Sequence, residues 1–255
     1  MRRAWTWVGL LLPLVAIVGA ACSEQSVLAL LQALFPGQRV WLYPRASPAV
    51  LIGEQLLLIG VSSVLAALIG IGLAIALSRP GSKALLPLGE RLAALAQTLP
   101  PAAILALAVP LFGFGFWPTI LALFLYGTLP VFRTSLLGLQ TIPRAALEAA
   151  KGLGMNALQR LASVELPLAK DFIITGLRVS VVVNVGTAAI GATIGAGGLG
   201  APIVSGLVNQ NPAFLTEGTV LTALLALALD SLFSLVAGPG VQSAPRAPSR
   251  QSSSS

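Results

Sequence analysis

The sequence predicts an all-α, polytopic membrane protein with about six transmembrane helices. Three observations carry that reading. First, 56% of the 255 residues are apolar and 9% are charged, where a soluble domain carries about 25% charged residues. Second, long runs hold no charge at all, among them 5–22, 55–78 and 92–132, and about 20 apolar residues suffice to cross the hydrocarbon core. Third, most of the cations fall in short segments between those runs. The net charge of +7 therefore reads as membrane loops, not as a nucleic-acid surface. With no His and one Cys, Cys22, the chain predicts no metal site, no Cys–His chemistry and no internal disulfide.

Residues 1–22 form an N-terminal transmembrane helix or a signal-like segment ending near Cys22, with Arg2 and Arg3 ahead of the apolar run. Residues 23–47 are more polar and read as an external loop with Trp41 and Tyr43 at the membrane interface. A membrane domain over 48–238 follows. Its spans are expected at 55–78, 86–111, 118–137, 171–194 and 217–237. Arg79 to Lys83 closes the first of these, and Gly113 to Pro118 divides the second from the third. Residues 239–255 are rich in Pro and Ser and are expected to form a disordered tail. Six spans put both termini on one side. Arg79, Arg144, Lys151 and Arg160 share that side while Arg39 and Arg45 lie opposite, so it is expected to be cytoplasmic.

The segment EAAKGLGMNALQRLASVELPLA, 148–169, breaks the apolar pattern with Glu148, Lys151, Arg160 and Glu165. Pro143 suits the first turn of a helix that Gly152 and Gly154 stop. Asn156 is a good cap for a second short helix over 157–164, halted by Pro167. Leu158, Leu161 and Ala162 share one face of it. On these grounds alone the segment is an interfacial loop helix.

Its spacing adds more. Glu148-Ala149-Ala150, three residues, Gly154, nine residues, Val164, one residue and Leu166-Pro167 resemble the signature loop of ABC importer permeases. That resemblance implies a five-helix permease core over about 50–237, with the N-terminal helix as an addition. It implies that Glu148, Ala149, Ala150, Gly154, Met155, Asn156, Leu158, Leu166 and Pro167 form a coupling helix docking on an ATPase. Gly53-Glu54, Gln97-Thr98-Leu99-Pro100, Gly197-Gly198-Leu199-Gly200 and Asp230 are similar to the branch serving glycine betaine, carnitine and choline. Gln55 departs from it, since His is expected after the Glu. The implied partners are two ATP-binding subunits, a second permease subunit, identical or similar, an external substrate-binding protein and membrane lipid. ATP and Mg belong to the ATPase, so this chain needs no cofactor, and the implied location is a bacterial inner membrane. The rival is an ion-coupled secondary transporter, which also uses intramembrane acids and broken helices. A permease for another small solute, such as an amino acid, is the nearer alternative.

Four further constellations stand out. Gly195, Gly197, Gly198 and Gly200 lack a following Lys-Ser/Thr and so read as an external gate or close packing, not a phosphate loop. Gln97, Thr98 and Pro100 sit at a proline kink that is either merely tolerated or lines a path. Asn184 and Thr187 sit mid-span and either bond neighbouring helices or line that path. Arg178 and Asp230 lie at similar depths, roughly 10–12 Å from the same membrane face. They either pair, or Arg178 snorkels while Asp230 is solvated; a proton-carrying Asp230 is the secondary-transporter variant.

Overall fold

The polar N-terminal stretch folds first into a helix. Ser23 accepts from the Ser26 N–H, Glu24 sits in the first turn, and α1 runs Glu24–Leu34. An irregular loop was expected over 23–47. The capping Ser, the acid beside it and an apolar stripe of Val27, Leu30, Leu31 and Leu34 account for the difference. The computed structural model describes residues 15–16, 19 and 23–237, leaving aside the side chains at 80, 83, 92, 93, 96 and 97. The expected span 5–22 and the expected tail 239–255 lie outside the described residues.

α2, Pro48–Ser78, is capped by Ser47 and starts well before residue 55, because Pro48 suits a first helical turn. Its 31 residues span about 46 Å at 1.5 Å each. A tight turn over Pro80–Leu85 leads to α3, Leu86–Thr98, and α4, Pro101–Phe112. One continuous span was expected over 86–111. The pair Pro100-Pro101 breaks it, since Pro100 drives Leu99 to ψ 130° and Pro101 opens a new helix.

α5, Phe116–Gln140, begins after Gly113 and Gly115 and packs between α2 and α8. Next come α6, Arg144–Gly152, and α7, Ala157–Arg160. A π-turn over Leu161–Glu165 leads into α8, Leu166–Gly191. A stop at Pro167 and a new span from 171 were expected; Pro167 instead sits in the first turn of α8, where it costs no helical hydrogen bond, and the helix runs on from Ala157 to Ile194. α9, Gly200–Val208, folds back against α10, Pro212–Ala237. Asn211 caps α10 with its side-chain oxygen and donates to the Val40 carbonyl at 3.0 Å.

Among the described residues four helical runs are long and apolar enough to cross a membrane: 48–78, 116–140, 157–194 and 212–235. α4, at 12 residues, is shorter. The bilayer gives helices no hydrophobic reason to associate, so packing rests on close approach. Gly127 leaves room for Ala66, Ser180 and Asn184, Gly138 for Phe172, and Gly176 for Val131 and Thr134. Of the four apolar clusters among the described residues, two mark the ends of the bundle. One, around Phe132, Leu136, Leu139 and Ala169, lies at the Arg79 end. The other, around Leu51, Val185, Leu199 and Leu221, lies at the opposite end.

A Cβ at Gly176 would come within 2.0 Å of Thr134 Oγ1 and 3.0 Å of the Val131 Cα, whereas one at Gly186 meets nothing within 4 Å. Gly176→Ala is therefore expected to destabilise the fold by about 1–3 kcal/mol. Gly186→Ala should be neutral or stabilising by up to about 1 kcal/mol, by helix propensity alone. Thermal unfolding of both variants in detergent checks the contrast.

Candidate functional site

The loop between α5 and α8 is built by local rules. α6 ends where the Gly154 N–H donates to Lys151 O and the Met155 N–H to Ala150 O, with Gly154 at φ +75°. No neighbour crowds Gly154, so backbone conformation alone asks for glycine there. Asn156 and Gln159 then form a reciprocal capping box, both bonds at 2.9 Å. Ala150 is buried and Met155 and Leu166 are half-buried, while Glu148, Ala149, Asn156 and Pro167 are exposed. Leu153 and Leu158 are each 77% exposed. The loop thus exposes two leucines together with Glu148 and Lys151; its turns are closed by local backbone and cap hydrogen bonds, and Leu147 packs it on the bundle.

At the base of this loop lies Glu165, which the sequence reading left without a role. Its buried carboxylate takes a two-pronged contact from Arg79, 3.1 and 2.9 Å, and a third from Arg160 at 3.3 Å. A lone acid between Val164 and Leu166 was the available signal. Its partner Arg79 is 86 residues away and sits on another helix.

At the opposite end the glycine run wraps the start of α2. The Gly198 N–H donates to Glu54 Oε2 at 2.7 Å and the Leu199 N–H to Gln55 Oε1 at 3.1 Å. Gln55 Nε2 donates in turn to Val185 O at 2.8 Å. Gly197 and Gly198 have φ of +80° and +70°, and a Cβ on either would lie 2.4 Å from one of those side-chain oxygens. Gly200 has the same need for closeness, against the Ala189 backbone. Gln55 is thus a two-way tie between α2, α8 and the turn. Nearby, buried Glu217 accepts from the Tyr43 N–H at 2.8 Å and fixes the residue 35–47 segment on α10.

The expected path residues separate. Asn184 is fully buried and donates toward Ser62 Oγ at 3.4 Å, so it joins α8 to α2 and lines no opening within this subunit. Thr187 is half-buried and bonds its own helix at Val183 O. Thr98 and Pro100 are exposed at the α3–α4 break, where the Tyr126 hydroxyl donates to Leu99 O. The Gln97 side chain lies outside the described residues. Arg178 meets Asp230 side-on, Nε to Oδ1 at 2.6 Å and a terminal nitrogen to Oδ2 at 2.7 Å, with both side chains about a third exposed.

A family model described as the inner membrane component of binding-protein-dependent transport systems matches residues 66–238. The chain belongs to that family. It is 39% identical over 215 residues to the osmoprotectant import permease protein OsmY of Salmonella typhimurium, covering 82% of this chain and 89% of that one. It is 36% identical over 183 residues to the glycine betaine/carnitine/choline transport system permease protein OpuCB of Bacillus subtilis, covering 72% and 83%. A structure of the MetNI methionine ABC transporter in an inward-facing conformation shares the fold. Its TM-score is 0.67 at 22% identity, over 74% of this chain and 93% of that one. This family member thus carries a motif loop at one end and a glycine turn at the other, joined by α2 and α8.

The ion pair yields a test. An isolated charge at membrane depth costs roughly 2.5–3.5 kcal/mol, and each partner relieves the other. Arg178→Ala and Asp230→Ala should each lower the yield of folded protein, and the double variant should recover much of the loss. Gel-filtration yield and melting temperature of the three variants decide it: strictly additive defects mean no pairing.

Proposed function

We propose that this chain is the membrane-spanning subunit of an ATP-driven importer for glycine betaine, choline or a related quaternary ammonium osmolyte. The observation that carries the reading is the loop over 144–167. Its turns are closed by local cap and backbone hydrogen bonds, and it offers Glu148, Leu153 and Leu158 to something outside the subunit. Two ATP-binding subunits, which hold ATP and Mg, dock on this loop and its counterpart in a second permease subunit. An external binding protein delivers the solute. The substrate class is supported by the relatives named for osmoprotectants, choline and glycine betaine.

In this proposal the loop face is cytoplasmic, the N-terminal residues add a sixth helix to a five-helix core, and both termini are cytoplasmic in a bacterial inner membrane. The α3–α4 break with Thr98 and Pro100, together with Thr187, lines the path between the two permeases. The glycine turn held by Glu54 and Gln55 is its external gate. ATP-driven closure of the motor moves the loops and switches access; solute biases the states only through differential affinity. An ion-coupled transporter has no use for an outward-presenting loop of this kind.

Reconstituted complex should take up glycine betaine or choline only with ATP and binding protein, and an ionophore should not abolish uptake. Uptake driven by an ion gradient without ATP sinks the proposal. Gly154→Val adds a second arm. Forcing φ +75° on a β-branched residue costs about 1–2 kcal/mol, equivalent to roughly 5–30-fold. The variant should reach the membrane at normal levels and bind the ATPase that much more weakly, as read by co-purification.

A further inference from the structure

Glu165 occupies a junction that the docking loop itself does not require. Its side chain is 8% exposed, Arg79 grips both of its oxygens, and Arg160 reaches one of them from the loop helix. Arg79 is the residue that ends α2. Glu165 closes the π-turn Leu161–Glu165, in which the Leu166 N–H donates to Leu161 O. Such a turn holds one residue more than an α-helical turn and is a local weakness in an otherwise regular rod. Left alone it would let α7 shift against α8. Pinned by two arginines from different elements, it does not.

The far end of α2 is held as well, by Glu54 and Gln55 on the Gly198 and Leu199 amides. We propose that Glu165 is a positioning residue: with Arg79 it locks the loop helix to α2. Displacement of the loop then passes along that 31-residue helix toward the glycine turn instead of being absorbed at the π-turn. This rests on the loop being the motor's docking element. Arg79 is the critical partner, because Arg160 lies within the loop's own helical run and cannot join it to another helix.

The test uses the full complex in proteoliposomes, with glycine betaine as the transported probe, and measures uptake and ATP hydrolysis together. Glu165→Gln and Arg79→Gln should leave ATPase co-purification and hydrolysis near normal while uptake per ATP falls by roughly tenfold, as when one link between moving elements is cut. Arg160→Gln should have a smaller effect. Arg79→Glu combined with Glu165→Arg should restore the ratio, which also covers the case in which a single variant assembles poorly. An unchanged ratio, or uptake and hydrolysis lost in parallel without rescue, overturns the proposal. Hydrogen exchange on the purified chain gives an arm that needs no partner. Glu165→Gln should raise exchange across 157–165 by about tenfold while the middle of α5 is unaffected, and unchanged exchange overturns the clamp. Wild-type complex that binds no ATPase would sink the functional reading alone, with the exchange result still deciding the clamp.

Discussion

Inside a membrane a polar group has no water to fall back on, and an unpaired one costs several kcal/mol. Several polar side chains of this chain are arranged around that cost, while among the described residues five buried oxygens, Glu217 Oε1 and Asn184 Oδ1 among them, have no hydrogen-bond partner. Gln55 is completely buried, yet its amide serves the Leu199 N–H on one side and Val185 O on the other. Glu54 receives the Gly198 N–H. Glu165 is buried only because two arginines meet it, and Arg178 with Asp230 neutralise one another between α8 and α10. Each arrangement joins elements distant in sequence. The polar residues therefore do what a hydrophobic core does in water: they specify which helix lies against which.

Close packing supplies the rest. Gly127, Gly138 and Gly176 let α5 approach α2 and α8 so nearly that a single added methyl would collide at each crossing. Such contacts have no tolerance for size, and dispersion rewards the closeness. The two ends of the bundle differ in consequence. One is secured by charge around Arg79 and Glu165. The other is secured by backbone amides pointing at Glu54 and Gln55.

Much of the fold was legible because it is local. The first loop helix, its glycine stop and the Asn156 cap follow from neighbours within a few residues, and equal depth along two spans brought Arg178 and Asp230 under suspicion; the stop expected at Pro167 is absent because proline is tolerated in the first turn of α8. The start of α1 was missed although Ser23 and Glu24 signal it, because the surrounding segment is polar and holds two prolines further on. The break at Leu99-Pro100 was read as a kink within one span, since only the context of Tyr126 and α5 decides how far the chain turns there. The roles of Gln55, Glu165 and Glu217 were not legible. Apart from Arg160, five residues from Glu165, their partners lie 86 to 174 residues away, and local spacing carries no trace of such pairings.

The unbroken helical run from Ala157 to Ile194 has a further consequence. At 38 residues and 1.5 Å each it is about 57 Å long, while the hydrocarbon core is about 30 Å thick. At the tilts that membrane helices ordinarily adopt, part of the rod therefore stands outside the hydrocarbon core. A tilt of about 10° about one end sweeps the other through roughly 10 Å, twice the rise of a helical turn. A small rotation at the Ala157 end is enough to displace a whole turn of helix at the other.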